Sequence, residues 1–177
     1  MSGTLQGVST RTDSRGMSIN AEFVAVSSDE LEGFVADPES AIESLFMPLL
    51  GRTAGAHRRL SLDKAWHGVH YLLTGEAEES TGAVLGGTEF GEDEDYGPAR
   101  YFTPAEVEQL AHALDAPTTA DDAAARYDGD RMLELSIYPG GWDNADEREW
   151  LLGSLAQLRE FFRDTAAAGD AIVTCLV

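Results

Sequence analysis

The residues best suited to chemistry fall in LSLDKAWHGVHYLLTG, Leu60–Gly75, which holds His67, His70, Trp66 and Lys64, the chain's only lysine beside eleven arginines. On a helix, Asp63, His67 and His70 share one narrow sector. His70 borders the apolar stripe next to Trp66, which makes it the candidate general base. His67 lies further toward solvent. Two histidines three residues apart can share a metal, so His67 and His70 are weak metal candidates. A zinc site needs a third and usually a fourth group, and neither HExxH nor a cysteine pair is present. The plainer reading pairs a surface His67 with Asp63 and bonds a boundary His70 to a loop carbonyl. Lys64 sits in a first turn, where the helix dipole disfavours a cation. It is expected to be tied to a carboxylate or solvated, since catalysis would require burial to lower its pKa.

Two Gly/Pro turns at helix entries carry the other candidates. YGPARY brings Tyr96, Arg100 and Tyr101, and IYPGGWD brings Tyr138, Trp142 and Asp143. Helix N-termini attract anions, and an arginine beside them can clamp a carboxylate or phosphate. If both turns converge on His70, they form an aromatic pocket with one Arg and one His. Otherwise the aromatics pack the loops onto the core. Nucleophile-elbow, Walker and dinucleotide motifs are absent, so no cofactor is expected. Cys175 reads as a small core residue. The EDED run at 92–95 reads as a solvated charge run rather than a calcium loop.

The elements that must position these residues follow from periodicity and caps. Residues 1–18 are polar and aperiodic and read as a flexible extension, with Met17 a possible natural start. Asn20–Ser27 reads as a strand with Phe23 and Ala25 on one face, Val24 and Val26 on the other. Ser27 or Ser28 caps a short helix, with Glu30 three residues after Ser27 as a capping box, and Asp37-Pro38 starts a second helix that ends before Pro48. Leu62, Trp66, Val69 and Leu73 form the stripe of the opening helix, capped by Ser61 or Asp63 and ended by Gly75. Gly68 inside it implies a close backbone neighbour. Residues 76–99, acidic and with five glycines, read as a long loop with at most one short element. A short strand, ARYFT, precedes a helix capped by Thr103 with Pro104 and Glu106. A short helix over Thr119–Arg126 follows, and Asp130–Ile137 is open between helix and strand. Asn144 caps the longest helix, which runs to about Ala168 with Leu151, Leu155, Leu158, Phe162 and Ala166 inward. DAIVTCLV, apolar on both faces, reads as a central buried strand that pairs with the N-terminal one. The fold class is α+β, a single domain over residues 19–177 with several helices packed on a small sheet.

The 177 residues are 43% hydrophobic, with a formal net charge of −20 and a sequence pI near 4.3. That field repels nucleic acid and anionic lipid and favours a cationic protein partner. No apolar run approaches the ~20 residues that cross a bilayer. The N-terminus lacks an apolar signal segment, and a lone cysteine allows no internal disulfide. A soluble cytoplasmic protein is expected.

DKAWHGVHYLLTG, YGPARYFTPAEV, IYPGGWD and AGDAIVTCLV together resemble the YfbM-like family, domain of unknown function 1877, over about residues 17–177. Asp63, Lys64, Trp66, His70, Thr74 and Gly75 match its motif, while His67 falls at a variable place. The resemblance implies an α+β single domain of bacterial cytoplasmic origin and supplies no reaction. The functional expectation is therefore a small-ligand or protein-binding module, of inhibitor or immunity type toward a basic partner. The alternative is a hydrolase or transferase with His70 as general base and Arg100 as anion stabiliser.

Overall fold

The computed structural model describes residues 18–46, 57–78, 80–94 and 96–177. Residues 1–17, Pro48 and part of the EDED run lie outside these, so the extension, the Met17 start and the helix stop before Pro48 do too.

Strand β1 (Ala21–Val26) is buried at every position. Ser27 then turns the chain into α1 (Ser28–Ala36) through the expected capping box, and Asp37 closes α1 and caps α2 (Pro38–Leu45). A short strand β2 (Arg59–Ser61) and a 3-10 turn (Asp63–Ala65) lead into α3 (Trp66–Thr74). No side chain caps α3. Ser61 accepts from the Asp63 N–H at 3.2 Å, outside the helix, so the expected cap at Ser61 or Asp63 is corrected. Gly75 does end α3, at φ 80°.

The segment read as a long loop is mostly ordered structure. It contains α4 (Gly82–Leu85), β3 (Thr88–Glu94) and the start of β4 (Gly97–Phe102). β3 was missed because an edge strand is specified by its partner more than by its own residues. Then come α5 (Pro104–Leu114) behind its Thr103 capping box, α6 (Thr119–Arg126), α7 (Gly129–Glu134), α8 (Ala145–Ala168) and β5 (Ala171–Leu176). The ambiguous segment after Asp128 is thus helical, with Asp128 as its cap.

The strands form one antiparallel sheet in the order β2-β1-β5-β4-β3. β5 lies at its centre and pairs with β1 in the register Val24↔Val173, as its two-faced apolarity requires. Both sheet faces are covered. Val24, Val26, Ala171 and Val173 pack against Leu31, Ala41 and Leu45 of α1 and α2. Phe23, Ala25, Phe102 and Ile172 pack against the larger group built on α3, α5 and α8. Phe161 and Phe162 of α8 make edge contacts to Phe23 and Phe102, with centroids at 6.4 and 5.9 Å. The α+β class holds: helices in two layers around a sheet in which the first and last strands, β1 and β5, are neighbours.

Candidate functional site

Helix α3 is packed by α4, α6 and α8, so it offers no open edge. His70 is therefore fully buried, 0% exposed, and neither ring nitrogen has a hydrogen-bond partner among the described residues. Burial pushes its pKa down to about 4, with the neighbouring His67 acting in the same direction. The expectation of a boundary histidine facing solvent or a loop carbonyl is overturned. The physical reason is that α4, α6 and α8 all pack against α3, α4 having formed where a loop was expected.

His67 has different partners from those expected. Its Nδ1 accepts the Tyr138 N–H at 3.0 Å, and Nε2 therefore carries the proton and donates to the Ala77 carbonyl at 2.7 Å. It does not pair with Asp63. Burial lowers its pKa as well. With both nitrogens engaged it has no lone pair free for a metal. Among the described residues no group of three or more His, Cys, Asp or Glu stands together as metal ligands. Lys64 is half-buried and forms no ion pair among the described residues.

Trp66, His67 and Tyr138 do come together. The indole stacks on the imidazole at 4.9 Å and 10°, and on the phenol at 5.9 Å and 28°. Trp66 Nε1 donates to the Ile19 carbonyl and the Ile19 N–H donates to the Tyr138 hydroxyl, each at 3.0 Å. The trio thus clamps the chain entering β1, and its polar atoms are used in doing so.

The other candidates lie elsewhere. Trp142 is 1% exposed, donates to the Ile137 carbonyl at 2.8 Å and stacks on Trp150. It packs beside the Gly68 position, where Leu151 also sits. Gly68 is thus required by side chains, not by the backbone neighbour expected. Arg100 projects from β4 on the face of Phe102 and is held by the Glu89 carboxylate across the strand pair, with Ser80 at 3.4 Å. Tyr101 points to the opposite face, edge-on to Phe90. Tyr96 occupies the β3–β4 turn, about 13 Å along the strand from Arg100 at ~3.3 Å per residue. The two Gly/Pro turns therefore do not converge on His70, and the candidates divide into the clamp, the buried Trp142 and the β3–β4 hairpin.

Among the described residues are two open surface clefts. One of about 340 Å³ is lined by Tyr127, Asp130, Asp143 and Arg148 near the start of α8. The other, of about 410 Å³, lies between α4 and α5 and is lined by Thr81, Gly87, Glu106 and Gln109. Neither contains His70 or Arg100. Sequence reading also missed a polar group on the α1–α2 face of the sheet: Asn20, Glu22, Arg59 and Ser61. The available signal was a glutamate inside the otherwise apolar strand AEFVAV.

The family model described as Domain of unknown function (DUF1877) matches residues 17–175. Among solved structures, a protein of unknown function, YfbM, from Escherichia coli is similar with a TM-score of 0.67 and 21% identity, over 89% of this chain and 99% of that one. At that identity the likeness speaks for the fold. No curated protein matches the chain.

Proposed function

The chain belongs to the DUF1877 family, and from that premise we propose that it is a binding module for a cationic protein, of inhibitor or immunity type, rather than a catalyst. The observation that carries this reading is the outer surface of α1 and α2. Asp29, Glu30, Glu32, Asp37, Glu39 and Glu43 are all exposed there, and residues 28–46 contain no lysine or arginine. Glu30 is engaged by Ser27 and His57, which hold its carboxyl down at about 2. Val35, 42% exposed, gives this charged surface an apolar contact point. Opposite charge speeds encounter and sets orientation, while an apolar anchor supplies affinity. A net charge of −20 opposes a nucleic acid partner. Among the described residues no helix is long and apolar enough to cross a membrane. The hydrolase or transferase alternative needs a solvent-accessible His70 and an unpaired Arg100; His70 is sealed and Arg100 is held by Glu89.

The test is local neutralisation. One variant carries Asp29→Asn, Glu32→Gln, Glu39→Gln and Glu43→Gln. A control of equal charge carries Asp146→Asn, Glu149→Gln, Glu160→Gln and Asp164→Asn on α8. Binding to an amphipathic Lys/Leu helical peptide is measured by calorimetry at ~0.15 M salt, where distant charges are screened. The α1–α2 variant is expected to lose about tenfold in affinity while the control stays within about twofold. Equal losses in both would reduce the interaction to net charge and sink the reading.

A further inference from the structure

The sheet face beneath α1 and α2 is apolar except on its β2 side. Glu22 of β1 stands opposite Ser61 of β2 and Cys175 of β5, and Arg59 stands opposite Val24. The Asn20 and Val177 backbones exchange hydrogen bonds at 2.7 and 2.9 Å and continue this ladder. Alternation along the strands therefore puts Asn20, Glu22, Arg59 and Ser61 on one face. Glu22 is 7% exposed and accepts the Ser61 hydroxyl at 2.6 Å.

Arg59 is only partly satisfied. Its Nη1 donates at 2.5 Å to the carbonyl of Leu45, the last residue of α2, which fixes the guanidinium plane. Its Nε and Nη2 are buried and have no acceptor among the described residues. Guanidinium stays charged at every physiological pH, so it cannot escape the cost by losing a proton. Glu22 is not its counterion. Among the described residues Arg59 forms no ion pair, and burial raises the Glu22 carboxyl's pKa despite the opposing pull of Ser61 and Arg59. A shortage of carboxylates is not the cause in a chain with 32 acidic residues. The free Nε–Nη2 edge is the side-on pair of parallel donors that takes a carboxylate or phosphate bidentately. Buried donors left without protein partners are where a ligand or ordered solvent belongs.

We propose that the Nε–Nη2 edge of Arg59, fixed by the end of α2 and beside Ser61 on the same sheet face, is a binding site for a small oxoanion, a carboxylate or a phosphate. The site is separate from α3 and independent of any protein partner.

The full chain is titrated with inorganic phosphate and, separately, with succinate, with sodium chloride holding ionic strength and pH constant. The melting temperature and the arginine Nε–Hε signals in nitrogen-15 spectra are followed. A saturable rise of about 3–5 °C at tenfold excess over Kd is expected for the preferred anion, with movement of the Arg59 signal. The two titrations separate a phosphate from a carboxylate ligand. Arg59→Gln should abolish the rise, and Arg59→Lys, which keeps charge without the planar fork, should weaken it. If Arg59→Gln does not fold, the wild-type spectra still decide. An unmoved Arg59 signal with equal melting temperatures in phosphate, succinate and chloride overturns the proposal, as does a rise that persists in Arg59→Gln.

Discussion

Replacing His70 by leucine is expected to leave the protein at least as stable at pH 7 and to flatten its acid sensitivity. The imidazole is 0% exposed and both nitrogens lack partners, so leucine removes two unpaid polar burials and breaks no bond. An apolar side chain of similar size there should be neutral or stabilising, by about 1 kcal/mol. The acid effect is larger. The folded-state pKa is about 4, against 6.5 for the free side chain. As pH falls below 6.5, the unfolded chain takes up a proton that the folded chain refuses until about 4. The protonation penalty from His70 is thus absent above about pH 6.5, grows as pH falls, and is complete below about 4. The shift corresponds to roughly 3 kcal/mol. His67, also lowered, acts in the same direction. Glu22 acts oppositely: its raised pKa lets the folded chain bind a proton first, so its penalty is relieved on acidification. Glu30, held at about 2, gives way between 4.5 and 2, largely below the histidine window. Urea midpoints from pH 4 to 7 for wild type and His70→Leu measure the difference. The wild type should lose stability across this range about 3 kcal/mol more steeply than the variant. A loss exceeding about 2 kcal/mol in His70→Leu at pH 7 would mean that the imidazole is hydrogen-bonded after all.

Much of this arrangement was legible in the residues, and its failures have a common cause. The capping boxes at Ser27 and Thr103, the Asn144 cap and the glycine stop at 75 are local chemistry, and each stands where it was read. The central place of β5 followed from apolar residues on both of its faces. What the residues around α3 could not reveal was which elements would pack on it. α4 and β3 lie in a glycine- and acid-rich stretch with little intrinsic preference, and tertiary pairing decided their form. Once α4, α6 and α8 pack on α3, a histidine expected at an open boundary becomes part of the core. Arg100 was read as an anion clamp because its cross-strand partner, Glu89, sat in a segment taken for loop. Arg59 went unnoticed for the converse reason: an arginine in a three-residue strand carries no local sign that its donors will be buried.

Gly129→Ala is expected to be among the most damaging single-methyl additions to this fold. A Cβ at that position would lie 2.2 Å from the Trp142 carbonyl oxygen and 3.0 Å from its carbon. Backbone must therefore move, and Trp142 cannot follow cheaply. Its carbonyl accepts the Tyr127 hydroxyl at 2.7 Å, its indole donates to Ile137, and its rings are wedged between Trp150 and the Gly68 surface of α3. Shifting the carbonyl unseats a tryptophan that is 1% exposed, so the cost should approach that of truncating a buried aromatic, about 3–5 kcal/mol. Gly68→Ala gives the instructive comparison. Its closest clashes, 2.7 and 2.9 Å, are with the δ-carbons of Leu151, which can change rotamer. Overpacking of that kind costs about 1–3 kcal/mol. Gly153→Ala, on an exposed turn of α8 with nothing within 4 Å, should instead stabilise by about 1 kcal/mol through helix propensity. Urea unfolding followed by tryptophan fluorescence orders the three. A Gly129→Ala protein within about 1 kcal/mol of wild type would show that the Trp142 turn yields independently of the core, and that α7 and α8 are not locked through it.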